Sequence, residues 1–214
     1  MLSLVIADDH PLFRSALSSA LQKEMPNLHI VEANDLDSTM SCLEQASELD
    51  LLLLDLNMPG SGDLYGLIRI RKAYPDVPVA IISGSEDSAL VAKVIEAGAL
   101  GFISKTSEPS TYVEAINAIL DGDIWLPEAI QQAVKNQPKS DLTMQKRVAE
   151  LTPQQYKVLC YLHEGLLNKQ IAYELAISEA TVKAHITAIF RKLEINNRTQ
   201  AVLVASDLKL TMSA

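Results

Sequence analysis

Hydrophobic runs and amphipathic stretches alternate along the first 120 residues of the chain. Short apolar runs predict β-strands at residues 2–7, 28–33, 51–54, 79–83 and 100–104. Apolar positions at helical spacing predict helices at residues 11–25, from 35–38 to about 47, 64–74, 88–97 and 109–120. The third run is four consecutive leucines, which is typical of a central strand covered on both faces. These strand–helix units predict a five-stranded, parallel, doubly wound α/β sheet.

The pattern changes after residue 122. Residues 123–149 are predicted to be a linker, in which a short helix at 127–136 is followed by the polar stretch 137–141. From residue 150 the chain is helical, with predicted helices at 153–164, 168–175, 179–193 and 199–207. Thr152 and Ser178 precede two of these helices as N-cap residues. Short helices joined by tight turns, one of them carrying basic residues, predict an all-α, four-helix domain with a helix-turn-helix.

Charge is distributed unevenly along the chain. The 214 residues have a formal net charge of −9, and residues 1–149 carry 11 Lys and Arg against 21 Asp and Glu, a net charge of −10. Residues 150–214 carry 7 against 6, a net charge of +1. This asymmetry predicts two domains with different partners, at residues 1–122 and 150–214, joined by the linker.

Composition predicts a cytoplasmic protein that does not enter a membrane. Hydrophobic residues make up 48% of the chain, which is enough for a full core. No apolar run reaches about 18 residues, and the first seven residues lack the basic region of a signal peptide. Cys42 and Cys160 stand alone, so we expect small buried hydrophobic residues in a reducing compartment.

Polar side chains stand at the ends of four predicted strands. Asp8 and Asp9 follow the first strand, Asp55 the third and Lys105 the fifth, and Ser83 ends the fourth. Taken singly, the paired aspartates could cap a helix and the lysine could be solvated. The carboxyl ends of parallel strands share one edge of a sheet, so we expect all five side chains to converge there. If a phosphoryl group binds at this edge, we expect Lys105 to contact one of its oxygens and the Ser83 hydroxyl to contact another.

The predicted chemistry at this edge is phosphoryl transfer to Asp55. Its carboxylate would attack phosphorus and form an acyl phosphate, which requires the charge of the phosphoryl oxygens to be neutralised. Mg²⁺ prefers oxygen ligands. We expect Asp9 and Asp55 to bind it directly, Asp8 through water, and Asn57 through its backbone carbonyl.

Residues 1–122 resemble the receiver domain of two-component response regulators. The matching residues are Asp8, Asp9, Asp55 with Met-Pro-Gly after it, Ser83, Phe102 and Lys105. The resemblance implies a flavodoxin-like fold, phosphorylation of Asp55 by a sensor histidine kinase, and a switch pair formed by Ser83 and Phe102. Core packing alone is the alternative interpretation of Phe102. The chain departs from the common MPGxxG pattern, because its glycine, Gly62, comes one residue earlier.

Residues 150–208 resemble the LuxR-type helix-turn-helix. The matching segments are LTPxQ from Leu151, NKxIA from Asn168, SxxTVKxH from Ser178, KL from Lys192 and NRTxA from Asn197. With the receiver-like half in front, the whole chain resembles the NarL/FixJ family of response regulators. This resemblance implies a transcription factor that binds promoter DNA.

The helix at 179–193 is predicted to be the recognition helix. Val182, Ile186, Ile189 and Leu193 form a core stripe along it and leave the other face for the major groove. We expect bases to be read by Lys183, Ala184 and Thr187, and phosphates to be contacted by Lys169, Arg191, Lys192 and Arg198.

The last predicted helix carries Ala201, Val202 and Ala205, which allow two interpretations. In the family this helix pairs DNA-bound domains, which implies a homodimer on two half-sites when the protein is phosphorylated. A small apolar stripe is equally typical of a domain core.

The resulting hypothesis is a switch in which the unphosphorylated receiver packs on the DNA-binding domain and hides the recognition helix. Phosphorylation of Asp55 would release this domain for dimerisation and promoter binding. One alternative is a phosphatase or phosphotransferase, disfavoured because Asp55 lacks the nearby second aspartate of haloacid-dehalogenase-like phosphatases. The other is a ligand-gated regulator, disfavoured by the intact acidic site. We expect no enzyme activity beyond Mg-dependent self-phosphorylation and dephosphorylation.

Overall fold

The computed structural model describes residues 2–46, 48–62, 64–138 and 140–212. Its parallel sheet has the strand order β2-β1-β3-β4-β5. The strands are β1 Leu2–Ala7, β2 Leu28–Ala33, β3 Leu51–Asp55, β4 Val79–Ser83 and β5 Gly101–Ser104. This order confirms the predicted doubly wound sheet, and the direction of winding reverses between β1 and β3, where such folds bind ligands.

Helices cover both faces of the sheet. They are α1 Pro11–Glu24, α2 Leu36–Gln45, α3 Tyr65–Ala73, α4 Ser88–Glu96 and α5 Pro109–Leu120. One core cluster joins the sheet to α1 and α5, and a second joins it to α2, α3 and α4. Leu51 and Leu53 belong to the first cluster, whereas Leu52 and Leu54 belong to the second. Burial on both faces therefore explains the four consecutive leucines of β3.

Local capping decides where α2 begins. Asp35, within the predicted start at 35–38, is the N-cap, and its side chain accepts a hydrogen bond from the Ser38 N–H at 2.7 Å. The Ser38 hydroxyl in turn accepts from the Asp35 N–H at 3.1 Å, which completes a capping box. The predicted end of this helix near Ser47 lies outside the described residues, and the helix itself ends at Gln45.

The C-terminal part of the chain is a bundle of short helices, as predicted. They are α8 Pro153–His163, α9 Asn168–Glu174, α10 Glu179–Leu193 and α11 Arg198–Asp207. Both α10 and α11 pack on α8. The Thr152 hydroxyl accepts from the Gln155 N–H at 3.3 Å, and the Ser178 hydroxyl accepts from the Thr181 N–H at 3.0 Å. These bonds confirm the two predicted N-caps.

The predicted linker contains more helix than expected. Its helices are α6 Glu128–Lys135, which was predicted, and α7 Thr143–Val148, which was not. The α6 helix packs on α4. Within the predicted polar stretch 137–141, Lys139 lies outside the described residues, and the Ser140 N–H donates to Glu96 Oε2 at 2.9 Å. The linker is therefore held against the sheet domain rather than free.

The start of the linker covers the open edge of β5. The Trp125 N–H donates to the Leu100 carbonyl at 3.0 Å, and the Phe102 N–H donates to the Trp125 carbonyl at 3.1 Å. A Cβ on Gly101 would lie 2.6 Å from Ile119 Cδ1 and 3.3 Å from the Trp125 carbonyl oxygen. Glycine therefore permits this close approach. Pairing with the linker also protects an edge strand from other partners.

The described residues show the length of each helix and the state of both cysteines. Among the described residues, no helix combines the length and apolarity needed to cross a bilayer. Both cysteines are free, Cys42 half-buried and Cys160 buried. Burial raises the pKa of the Cys160 thiol to about 12, so it stays protonated and packs as a small hydrophobic group.

Candidate functional site

The ends of β1, β3 and β5 bring three predicted site residues into contact. Asp8 directly follows β1, Asp55 is the last residue of β3, and Lys105 directly follows β5. Lys105 Nζ lies 2.7 Å from Asp8 Oδ2 and 2.8 Å from Asp55 Oδ2. Both carboxylate side chains are 0% exposed, and the lysine side chain is 18% exposed. Parallel strands thus place two buried carboxylates around one ammonium group, as the sequence predicted.

Asp9 and His10 complete an acidic pocket beside this pair. Ligand atoms of Asp8, Asp9, His10 and Asp55 all lie within 4.8 Å of one another. Asp8 Oδ2 and Asp9 Oδ1 are buried and accept no well-oriented hydrogen bond in the described part of the chain. Lys105 Nζ lies 2.7 Å from Asp8 Oδ2, and His10 Nδ1 lies 2.7 Å from Asp9 Oδ1. Such an oxygen-rich pocket is typical of divalent metal binding, and the residues present fit a hard cation.

His10 joins the pocket without having been predicted. Its Nδ1 lies 2.7 Å from Asp9 Oδ1 and 3.2 Å from Asp8 Oδ1, and its backbone N–H donates to Asp8 Oδ1 at 2.8 Å. Its imidazole is otherwise largely exposed, at 66%. The available signal was its position directly after two aspartates, but an exposed histidine carries little information on its own.

Burial and charge act in opposite directions on the pKa of Asp55. Burial raises this pKa above its ordinary value, and Lys105 together with the Asn57 N–H, 3.2 Å from Asp55 Oδ1, offsets only part of the rise. Burial lowers the pKa of Lys105, but its hydrogen bond to Asp55 and the charges of Asp55 and Asp8 outweigh burial and raise the pKa overall. One ammonium group serves two buried carboxylates, so the remaining negative charge favours a further cation.

The predicted switch residues occupy β4 and β5. The register of β3 and β4 pairs Asp55 with Ile82, so Ser83 lies one residue beyond that pair, at the same edge of the sheet. Its hydroxyl accepts from the Ser85 N–H at 3.2 Å. The Phe102 side chain is 0% exposed and packs in the core. Its part in a switch stays a prediction, as does the Asn57 carbonyl as a metal ligand.

The α10 helix separates a core face from an exposed face. Its predicted core stripe is buried at Val182, Ile189 and Leu193, each 0% exposed, and Ile186 is half-buried. The predicted base-reading residues are all exposed, namely Lys183, Ala184 and Thr187. Two predicted phosphate contacts, Lys169 and Arg191, are also exposed. These side chains face solvent, where Lys183 Nζ also lies 3.4 Å from Glu179 Oε1.

The other two predicted phosphate contacts already bond within their own domain. Lys192 Nζ donates to the Glu150 carbonyl and to Gln155 Oε1, both at 2.8 Å. The Arg198 guanidinium donates to the Leu166 carbonyl. Both cations therefore bond to carbonyl and amide oxygens of their own domain, and their contact with phosphate stays a prediction.

Burial decides between the two interpretations of Ala201 and Ala205 on α11. Ala201 and Ala205 are 0% exposed because α11 packs on α8, so they belong to the domain core. Val202 is half-buried, and the neighbouring Leu203 is 56% exposed. Of the small apolar stripe, only Val202 remains a candidate for contact with a second chain.

In the described part of the chain, Lys183, Ala184 and Thr187 of the recognition helix α10 are exposed. The sheet domain contacts α7, α8 and the residues after α11, rather than the exposed face of α10. The hypothesis that the receiver hides this helix is therefore wrong for this structure.

Comparison with known proteins assigns both halves. The family model of the response regulator receiver domain matches residues 4–117, and that of bacterial regulatory proteins of the luxR family matches residues 149–205. The chain is 44% identical to the glycerol metabolism activator of Pseudomonas putida, over 99% of this chain and 98% of that protein. It is 34% identical to the nitrate/nitrite response regulator protein NarP of Escherichia coli (strain K12), over 94% and 93%.

Solved structures share the fold. A structure of the RcsB response regulator of Salmonella typhimurium has a TM-score of 0.59 at 23% identity, covering 96% of this chain and 100% of that one. Another, of two RcsB dimers bound to two parallel DNAs, has a TM-score of 0.57 at 22% identity and covers 97% and 98%. The chain therefore belongs to the NarL/FixJ family of response regulators, transcription regulators that join a receiver domain to a LuxR-type DNA-binding domain.

Proposed function

We propose that phosphorylation of Asp55 by a sensor histidine kinase controls this transcription regulator. The observation that carries the proposal is the position of Asp55, which ends β3 fully buried, 2.8 Å from Lys105 Nζ. It also lies in a pocket whose donor atoms fit a divalent cation. A nucleophilic carboxylate, a fixed positive charge and a cation site are the parts that phosphoryl transfer to an aspartate requires.

The transfer exchanges one bond to phosphorus for another. An Asp55 carboxylate oxygen forms the new O–P bond as the N–P bond to the phosphohistidine of the kinase breaks, and that imidazole takes up a proton. Lys105 Nζ then pairs with a phosphoryl oxygen. The Ser83 hydroxyl, at the same edge of the sheet, donates to another oxygen.

Mg²⁺ is the cation that suits this pocket. Asp8, Asp9 and Asp55 would hold it with the Asn57 carbonyl, and it would neutralise the charge of the phosphoryl oxygens. The chemistry assigned to the chain itself is Mg-dependent phosphorylation of Asp55 from a donor and loss of that phosphoryl group to water.

Phosphorylation is proposed to move Ser83 and Phe102 together. As the hydroxyl moves toward the phosphoryl group, the ring of Phe102 fills the space that it leaves. The Phe102 N–H is bonded to the Trp125 carbonyl at 3.1 Å, so movement of β5 passes directly to the first residues of the linker.

Promoter DNA is proposed to bind the exposed face of α10. Bases are read in the major groove by Lys183, Ala184 and Thr187, while Lys169 and Arg191 contact phosphates. The phosphorylated protein binds as a homodimer on two half-sites, as the RcsB dimers on DNA suggest, with Val202 and the exposed Leu203 as candidate contacts. Its partners are then the sensor kinase, promoter DNA and a second copy, all in the cytoplasm.

Acetyl phosphate with Mg²⁺ tests this proposal in a gel-shift assay. The DNA is a fragment that the wild-type protein selects from a random pool, and phosphorylation is followed on a phosphate-affinity gel. Asp55→Asn should lose both phosphorylation and the donor-dependent shift, since the amide cannot form the acyl phosphate. Lys183→Ala is the matched control and should be phosphorylated normally but bind DNA weakly. A donor response undiminished in Asp55→Asn would overturn the proposal.

A further inference from the structure

Two stacked tyrosines join the receiver domain to the DNA-binding domain. Tyr65 is the first residue of α3, Tyr156 lies in α8, and their ring centroids are 4.0 Å apart with an interplanar angle of 15°. Tyr65 is 2% exposed and Tyr156 is 5% exposed. Aromatic rings buried in this way exclude water from the contact and hold the two domains in one arrangement.

The segment after α11, residues 208–212, runs back to this contact. Lys209 has a φ of 47°, its N–H donates to the Ser206 carbonyl, and the Leu210 N–H donates to the Ala205 carbonyl, both at 3.0 Å. This is a Schellman turn with a lysine at the left-handed position, where glycine is the usual residue. Leu210 is 4% exposed. The turn therefore brings the backbone at Leu210 against the receiver domain.

Gly62 is the point where the receiver domain accepts this segment. A Cβ there would lie 2.8 Å from Leu210 Cα, 3.0 Å from the Lys209 carbonyl oxygen and 3.2 Å from the Tyr156 hydroxyl. Gly62 is not among the residues with positive φ, so it is space that requires glycine here. The Tyr156 hydroxyl also donates to the Thr211 carbonyl at 3.1 Å. The glycine that departs from the MPGxxG pattern is thus the seat of the C-terminal segment.

This contact adjoins the residues that would respond to phosphorylation. A cavity of about 260 Å³ is lined by Asn57 and Met58 of the loop after β3, Leu90 of α4, and Lys209 and Thr211 of the C-terminal segment. The Asn57 N–H bonds to Asp55 Oδ1, an atom of the carboxylate that is modified. Asn57 therefore connects the Asp55 carboxylate to the cavity beside the docked segment, two residues further along the chain.

We propose that residues 208–212 are a docking segment that holds the DNA-binding domain on the loop after β3, with Gly62 as its seat. The recognition face stays exposed when the segment is docked, so docking fixes the orientation of the domains and leaves access to the groove open. Phosphorylation of Asp55 undocks the segment and frees two DNA-binding domains to pair on one DNA site. This role in signalling rests on the proposed function, whereas the docking itself does not.

Gly62→Ala tests the docking segment in the full-length chain. Its methyl group meets main-chain atoms at 2.8 Å, so we expect the segment to leave its seat. Without a phosphoryl donor, X-ray scattering should show a larger radius of gyration. Affinity for the selected DNA should rise by about five- to 150-fold, the range usual for coupled sites. Gly84→Ala is the matched control, because a Cβ there meets no atom within 4 Å, and it should behave as the wild type.

A second variant keeps the proposal testable if Gly62→Ala fails to fold. Tyr156→Phe keeps the ring stack but removes the bond to the Thr211 carbonyl, and it should produce a smaller shift in the same direction. Wild-type radius and affinity in both variants would overturn the proposal. Adding beryllofluoride with Mg²⁺ distinguishes the docking of the segment from its control by Asp55. If Gly62→Ala opens but the wild type ignores this phosphoryl mimic, docking stands and control by Asp55 fails. If the wild type responds and Gly62→Ala is unchanged, control by Asp55 stands and the docking segment fails.

Discussion

Lys105→Met removes the ammonium group that joins two buried carboxylates and keeps a side chain of similar length. In the wild type, Lys105 Nζ lies 2.7 Å from Asp8 Oδ2 and 2.8 Å from Asp55 Oδ2, and both acids are fully buried. Removing one partner of a buried ion pair costs about 3–5 kcal/mol, because the remaining charge stays desolvated. Lys105 is 18% exposed, so some water reaches the site. We therefore expect the free energy of unfolding to fall by about 3 kcal/mol at neutral pH without metal.

The pH dependence of this loss distinguishes charge from packing. The folded-state pKa of Asp55 is already raised above the ordinary value of 3.8, and loss of Lys105 raises it further. A carboxyl group with a raised folded-state pKa destabilises the fold at pH values above that pKa, and the penalty disappears as pH falls through it. The deficit of the variant should therefore shrink in acid. It should also shrink with Mg²⁺, because the uncompensated carboxylates of the variant attract the cation more strongly than those of the wild type, so binding stabilises the variant more.

Urea unfolding followed by the fluorescence of Trp125, which packs on the core cluster of α1 and α5, measures this loss. Lys72→Met is the matched control, because Lys72 is 60% exposed and 3.5 Å from Glu150, and it should change stability by less than about 1 kcal/mol. A deficit in Lys105→Met that is the same at every pH and Mg²⁺ concentration would refute the electrostatic explanation. So would the absence of any deficit.

Three further outcomes test other parts of the molecule. Lys183→Ala should weaken binding to the preferred DNA by about 1–3 kcal/mol, whereas Lys169→Ala should weaken all sequences alike and lower the salt slope by about one; gel shifts with identical profiles would contradict these roles. Ala205→Leu should cost about 1–3 kcal/mol in urea unfolding because its site is fully buried, and Leu203→Ala should change stability by less than about 0.5 kcal/mol; equal costs would contradict the core assignment. The fluorescence of Trp125 should change on adding beryllofluoride with Mg²⁺, and an unchanged spectrum would show that β5 does not signal to the linker.

Much of the fold was readable from local pattern. The four leucines of β3 predicted burial on both faces because a strand with one wet face alternates. Thr152 and Ser178 marked helix starts because their hydroxyl groups accept the first free N–H groups of a helix. The α7 helix was missed because its six residues are too few to show a hydrophobic period.

The sequence predicted part of the candidate site. Asp8, Asp55 and Lys105 could be placed together from the rule that parallel strands end at one edge. His10 was not placed there, because only the folded backbone shows that its ring turns toward Asp9. The alanines of α11 allowed two interpretations in the sequence, and packing on α8 decided for the core.

By itself, the sequence determined the order of elements, their caps and the residue types at the ends of the strands. These features follow from the period of side chains along a helix or strand and from hydrogen bonds between near neighbours. Only the tertiary structure decided which cations are exposed, which face of α10 is open, and that Gly62 meets Leu210. Such contacts join residues far apart in the chain, and no local pattern records them. The space beside Gly62 depends on the position of the DNA-binding domain.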